Sequence, residues 1–206
     1  MKKVILLMLV TLVTMFTSYA QWGDMGMGSK IVLKSGGDLN KIKTEKTFKV
    51  EYDYSKMKVG EYNTEAEYVD KKVKEYEKKE KGKGDKWKEG WVGSRKDRYE
   101  PKFEELFNKA SDGMTVAQNP PKSKYTLIVK TVFLEPGYNI GISKKPAFVN
   151  FEFTFVETEN PATIVAELYA NNVIGSQSMG FDFDSGSRIA ESYAKAGKML
   201  GKFLAK

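Results

Sequence analysis

Strand-like and helix-like stretches fall in separate runs along this chain, and that grouping predicts an α+β fold. The expectation is one domain with a mixed or largely antiparallel sheet of about five strands and two to three helices, including a C-terminal helix packed on the sheet. Three observations carry it. Residues 46–54 and 147–156 alternate apolar and polar side chains, residues 125–134 are apolar on both alternating faces, and residues 187–205 have helical periodicity. The predicted order is β-β-α-α, a Pro120-Pro121 connector, then β-β-β-(β)-α.

The N-terminus reads as an address. Lys2 and Lys3 precede a 13-residue apolar run, Val4 to Phe16, followed by Thr17-Ser18-Tyr19-Ala20. A charged start, a short apolar run and a small-x-small site together make a secretory signal peptide, residues 1–20. The run is short for a membrane span, and no long apolar run follows in the mature chain. Export by the general secretion route, to the periplasm or the exterior of a bacterial cell, is the expected localisation. Gln21 to Ser29 is a Gly/Met-rich leader, and residues 30–206 form the expected domain.

Taken in order, Ile31-Val32-Leu33 is a short strand candidate. Lys46 to Tyr54 places Phe48, Val50, Tyr52 and Tyr54 on one face and Lys49, Glu51 and Asp53 on the other. Asn63 opens a helix whose first turn holds Glu65 and Glu67, where acids suit the helix dipole. Tyr62, Ala66, Val69, Val73 and Tyr76 give that helix one apolar stripe. Lys81 to Arg98 carries Gly82, Gly84, Gly90 and Gly93 and reads as a basic loop. Pro101 suits the first turn of the next helix, whose buried face is Phe103, Leu106, Phe107 and Ala110. Tyr125 to Leu134 is a central strand. Ala147 to Val156 and Thr163 to Ala170 form a hairpin about Glu159-Asn160-Pro161, and a short strand near Met179 to Phe183 leads into the terminal helix.

Composition excludes several chemistries. With no cysteine and no histidine, the chain has no disulfides, thiol nucleophiles, imidazole bases or Ser-His-Asp triad. No metal-ligand motif and no cofactor fingerprint occurs. Ser192-Tyr193-Ala194-Lys195 matches S-x-x-K but lacks its S-D-N and K-T-G companions. Asp182-Phe183-Asp184-Ser185-Gly186 begins like a calcium loop, but its glycine is one position early and the later glutamate is missing; a helix cap explains it better.

Charge is concentrated. From Lys71 to Arg98 there are 12 basic residues against 6 acidic ones, and from Lys81 to Arg98 there are 7 against 3. Trp87 and Trp91 lie among them. The binding candidates are therefore Lys83, Lys86, Trp87, Lys88, Trp91, Arg95 and Arg98. An alternative places the two tryptophans on the core as a lid. On the terminal helix, Ala190, Ala194, Gly197 and Gly201 form a small-residue stripe, read as close packing on the sheet or another helix, or as a pairing face between two copies.

KYTLIVKTVFLEPGYNIG, FVETENP and GFDFDSGSRIAESYAKAGKMLGKFL resemble small exported proteins of unknown function from Bacteroides-type bacteria. The layout is also similar to periplasmic accessory lipoproteins. The resemblance covers the last two-fifths of the chain and implies a small α/β domain with no catalytic residues to transfer. This chain has no cysteine for acylation, so any envelope attachment is expected to be non-covalent.

The expected function is an exported, non-enzymatic cell-envelope binding or accessory module. Its partner would be an envelope protein or an anionic surface, lipopolysaccharide or lipid; nucleic acid fits the compartment poorly. The alternative is a carboxylate-based hydrolase of cell-wall or dietary glycans, for which Glu152 with Glu167, or Glu104 with Glu105, are the candidate acids.

Overall fold

The structure is a computed structural model that describes residues 29–34, 37–140, 142–175 and 185–206. The expected signal peptide, nearly all of the leader and the expected strand near Met179–Phe183 lie outside the described residues.

A single mixed sheet is the frame. Its strands are β1 (Ile31–Leu33), β2 (Thr47–Asp53), β3 (Lys58–Val59), β4 (Thr115–Ala117), β5 (Tyr125–Glu135), β8 (Phe148–Glu157) and β9 (Ile164–Ile174), while β6 (Tyr138–Asn139) and β7 (Lys144–Lys145) make a separate hairpin. The order is β1-β9-β8-β5-β2-β4, and β3 continues along β5 beyond the end of β2. The β5–β8–β9–β1 side pairs antiparallel; β2 pairs parallel with both β4 and β5. Seven strands stand where about five were expected. The additions are β3 and β4, two or three residues each, too short to show a period.

Alternation gives the sheet two unlike faces. Phe48, Val50, Leu127, Val129, Phe151, Phe153, Phe155, Leu168 and Ala170 are buried on the inner face. Each fully buried phenylalanine or leucine contributes about 1.5–3 kcal/mol of transfer free energy. Two bulges keep the pattern inward. The β5–β8 register shifts between Thr131 and Phe133, so Leu134 rather than Phe133 faces the core opposite Val149. In β9, Asn172 adopts φ 52° and its N–H donates to Asn150 Oδ1 at 2.7 Å, which returns Val173 to the core. The outer face is polar and ion-paired, with Lys130–Glu152 at 3.0 Å and Lys34 at 3.8 Å from both Glu152 and Glu167.

Five α-helices are present among the described residues, against an expectation of two to three. α1 (Leu39–Lys43) is a single capped turn that buries Ile42. α2 (Glu65–Glu77) is capped by Thr64, which accepts from the Glu67 N–H, while the Glu67 carboxylate accepts from Asn63 N–H. The expected start at Asn63 is thus one residue early. α3 (Lys83–Ser94) replaces the expected loop. A π-helical turn (Arg95–Tyr99) joins it to α4 (Glu100–Ala110) without a break. The Glu100 N–H bonds to the Arg95 carbonyl, five residues back. Pro101 follows immediately and has no N–H to offer the preceding turn. Across the wide turn Trp91, Tyr99, Phe103 and Phe107 all stay buried, at steps of eight, four and four residues, a spacing that would drift around an unbroken α-helix of 3.6 residues per turn.

α5 (Ser185–Leu204) and α4 cover the inner face. Phe103 stacks on Phe153 at 6.1 Å between ring centres, and Phe151 meets Tyr193 edge-on at 4.9 Å. The small-residue stripe of α5 lies against α4: a Cβ on Gly197 would fall 2.2 Å from the Phe103 carbonyl oxygen, and one on Gly201 2.8 Å from that of Phe107. Gly197 and Gly201 are therefore buried by this chain's own helix, in keeping with the close-packing alternative rather than a pairing face between copies. Ala190 and Ala194 on the same helix are also buried.

Candidate binding surface and the network behind it

The stretch expected to be a basic loop is the second arm of a helical hairpin. Its glycines mislead by composition. Gly82 takes φ 80° as the cap of α3, and Gly84 sits where a Cβ would come within 2.6 Å of the Val73 carbonyl. The Glu77 carboxylate accepts from the N–H groups of both. Gly90 and Gly93 face open space or a single side chain and disfavour the helix by about 1 kcal/mol each. Ring packing outweighs that cost. Trp87 stacks on Trp91 at 5.5 Å and on Tyr76 at 5.7 Å, and Tyr68 lies 5.0 Å from Trp91 and 5.9 Å from Trp87. Such pairs contribute about 0.5–1.5 kcal/mol each beyond their burial.

The seven candidate residues do not converge on one site. Trp91 is 6% exposed, and its indole N–H donates to Glu65 Oε1 at 2.6 Å. Arg95 forms a two-oxygen pair with the same Glu65, and its guanidinium lies 4.2 Å from the centre of the Tyr54 ring. These two residues are structural, corrected from the binding role. Trp87 is half-buried against the core. Arg98 donates to Ser187 Oγ at 3.3 Å and Lys83 pairs with Glu80 at 3.1 Å. Lys86 and Lys88 remain exposed on α3. With Lys74, Lys78, Lys79 and Lys81 they make six exposed lysines on the hairpin that form no ion pair among the described residues.

Behind the hairpin, under the π turn, lies a polar network that sequence reasoning missed. Tyr52 Oη donates to Glu104 Oε1 at 3.2 Å and Tyr54 Oη to Glu100 Oε1 at 3.3 Å. Gln118 Nε2 donates to Glu100 Oε2 at 3.0 Å and Glu104 Oε1 at 3.1 Å. Tyr193 hydrogen-bonds Thr131 Oγ1 at 2.5 Å and stacks on Tyr99. Burial pushes the Tyr52, Tyr54 and Tyr193 phenols well above their usual range, so all three are neutral at any ordinary pH. Burial also raises Glu100 above the usual glutamate range, opposed by the hydrogen bonds from Tyr54 and Gln118. Inward-pointing Tyr52 and Tyr54 were legible as a strand face; their partners, 46 to 52 residues away, were not.

An open groove of about 800 Å³ flanks this network, walled by Asp53, Lys56, Lys58, Asn63, Glu65 and Arg95. Its central carboxylate, Glu65, is fully engaged by Trp91 and Arg95. The other candidate acids are engaged too. Glu152 and Glu167 are held by Lys34, and Glu152 also by Lys130. Glu104 accepts from Tyr52 and Gln118. Glu105 pairs with Lys109 at 2.6 Å and Lys102 at 3.5 Å, and hydrogen bonding to Lys109 holds its pKa below the usual range, the opposite of what a general acid needs. In the S-x-x-K match, Ser192 is fully buried while Lys195 is exposed, so the serine is closed off from solvent.

No protein-family model matches this chain, and no curated protein matches it. Among solved structures it is similar to a dodecamer of a PelC point variant from Paraburkholderia phytofirmans, at 14% identity and a TM-score of 0.37, over 81% of this chain and 95% of that one.

Proposed function

We propose that this protein is a non-enzymatic binding module of the cell envelope that holds an anionic partner against the α2–α3 hairpin. The supporting observation is the set of six exposed lysines, Lys74, Lys78, Lys79, Lys81, Lys86 and Lys88, on two helices and the turn between them, the helices being locked together by stacked rings. A rigid scaffold loses little conformational freedom on binding, and lysines without acidic partners need not break an ion pair first. The engaged state of Glu104, Glu105, Glu152 and Glu167 favours binding over glycan hydrolysis. Export and the resemblance to envelope accessory proteins supply the compartment, where lipopolysaccharide phosphates, anionic lipid and outer-membrane proteins are the available anions.

The test is capture of detergent-solubilised envelope components, free of intact bilayer, at low and high salt, comparing wild type with Lys81→Glu/Lys86→Glu/Lys88→Glu. Capture by the wild type should fall steeply as salt rises, and capture by the triple variant should be lost at low salt with an unchanged melting temperature. Equal capture by the two proteins overturns the reading.

A further inference from the structure

A second surface, at the far end of β5, has a different chemistry. Ile142 is 99% exposed and Ile140 64%, at the tip of the β6–β7 hairpin, with Tyr138 45% exposed just below them. Nothing among the described residues packs on the two isoleucines. They are nonetheless held outward by an ordered base. Tyr138 and Asn139 pair with Lys145 and Lys144, the Ile140 N–H donates to the Ser143 carbonyl at 3.0 Å, and Tyr138 Oη hydrogen-bonds Ser143 Oγ at 3.2 Å. Gly137, at φ 62°, lets the arms cross so closely that a Cβ there would lie 2.3 Å from the Lys145 carbonyl oxygen. Lys145 pairs with Glu135 at 2.7 Å, and Arg188 of α5 donates to the Pro136 carbonyl at 3.3 Å.

We infer that this hairpin is a membrane-insertion element whose tip enters the interfacial region of an anionic bilayer. The order of chemistry along it matches the order of layers in a lipid leaflet. Ile140 and Ile142 form an apolar point, Tyr138 stands at the level where aromatic rings settle between acyl chains and water, and Lys144 and Lys145 make a basic collar at headgroup depth. No acidic residue occurs between Pro136 and Ala147, so the part that would enter carries nothing that anionic headgroups repel. Ile174, 44% exposed at the end of β9, belongs to the same end of the sheet, where Phe148 pairs with both Glu135 and Ile174. This site is separate from the α2–α3 lysines and stands or falls without them.

The test is flotation with phosphatidylglycerol/phosphatidylethanolamine vesicles, using protein purified from cells in its naturally processed form. Ile140→Asp/Ile142→Asp should reduce vesicle-bound protein at least tenfold with no change in melting temperature, because neither side chain packs on the fold. Lys144→Glu should weaken binding to these vesicles, and the Lys81/Lys86/Lys88 variant should still float, which separates this site from the hairpin helices. Ile142→Trp should give an emission band that shifts to the blue on vesicle addition and is quenched by brominated acyl chains. Unchanged flotation of the double aspartate variant overturns the proposal, as does an Ile142→Trp emission that stays at its aqueous position. A wild type that ignores vesicles but forms a dimer, or captures an envelope protein, in a manner abolished by Ile142→Asp also overturns it and assigns the tip to a protein interface.

Discussion

Along the α4–α5 seam two helices meet backbone to backbone over Gly197 and Gly201, whereas α2 and α3 are spaced by Tyr68, Tyr76, Trp87 and Trp91. Both seams depart from the easy reading of their sequence. Glycines in a long helix suggest a place for another copy, and tryptophans among lysines suggest a ligand. In each case the side chains are consumed by the fold. The α4–α5 seam is defined by volumes that must be absent, the α2–α3 seam by volumes that must be present, so opposite substitutions should break them.

The largest effect is expected at Trp91. Trp91→Ala removes the ring on which Tyr68 and Trp87 rest and strips Glu65 of one donor, and should cost about 3–5 kcal/mol in urea unfolding. Trp87→Ala, at a half-buried ring, should cost visibly less; equal losses would mean that the two rings are not ordered as described.

Next comes Gly197→Ala. Helix propensity alone predicts a gain of about 1 kcal/mol, but the added methyl would press on the Phe103 carbonyl, and overpacking of this kind costs about 1–3 kcal/mol. A net loss is expected, larger than for Gly201→Ala, where the nearest carbonyl is 2.8 Å away rather than 2.2 Å. Stabilisation by Gly197→Ala would show that the helices do not approach so closely.

The smallest effect concerns pH. Because burial raises Glu100 above its ordinary range, the folded state holds that proton more tightly than the unfolded chain. Its stabilising contribution is therefore complete below the unfolded carboxylate range and is lost as pH rises through the folded value. Glu100→Gln should flatten that decline in unfolding midpoints measured from the carboxylate range to neutrality. An identical slope in both proteins would mean that Glu100 titrates normally.

How much of this was legible varies with the kind of signal. The long strands β2, β5, β8 and β9 and the amphipathic helices α2, α4 and α5 announce themselves, because one face of each is buried and the period shows. β3 and β4 do not, since pairing rather than pattern makes a two-residue strand. Residues 81–98 read as a loop because four glycines dominate local propensity, while the rings that hold the helix lie on α2 as well as α3. The tryptophans' resting place was legible only as one of two options. The Glu65–Arg95 pair spans 30 residues and the Tyr54–Glu100 bond 46, and a single sequence carries no signal for such partnerships. The exposed point of the β6–β7 hairpin was hidden for a plainer reason: Ile140 and Ile142 look like any other strand residues until their surroundings are known.

The edge strand β1 has one more consequence. Ile31 finds its register opposite Ala170, so this edge of the sheet joins residues 139 positions apart in sequence. The face under Phe151 and Phe153 is sealed only when α5 arrives, from residues 185–204. No N-terminal fragment can finish a core by itself, and pairings this distant in sequence are slow to form. Folding must therefore await synthesis of α5, and removing that helix should yield a species that is sticky rather than merely shorter.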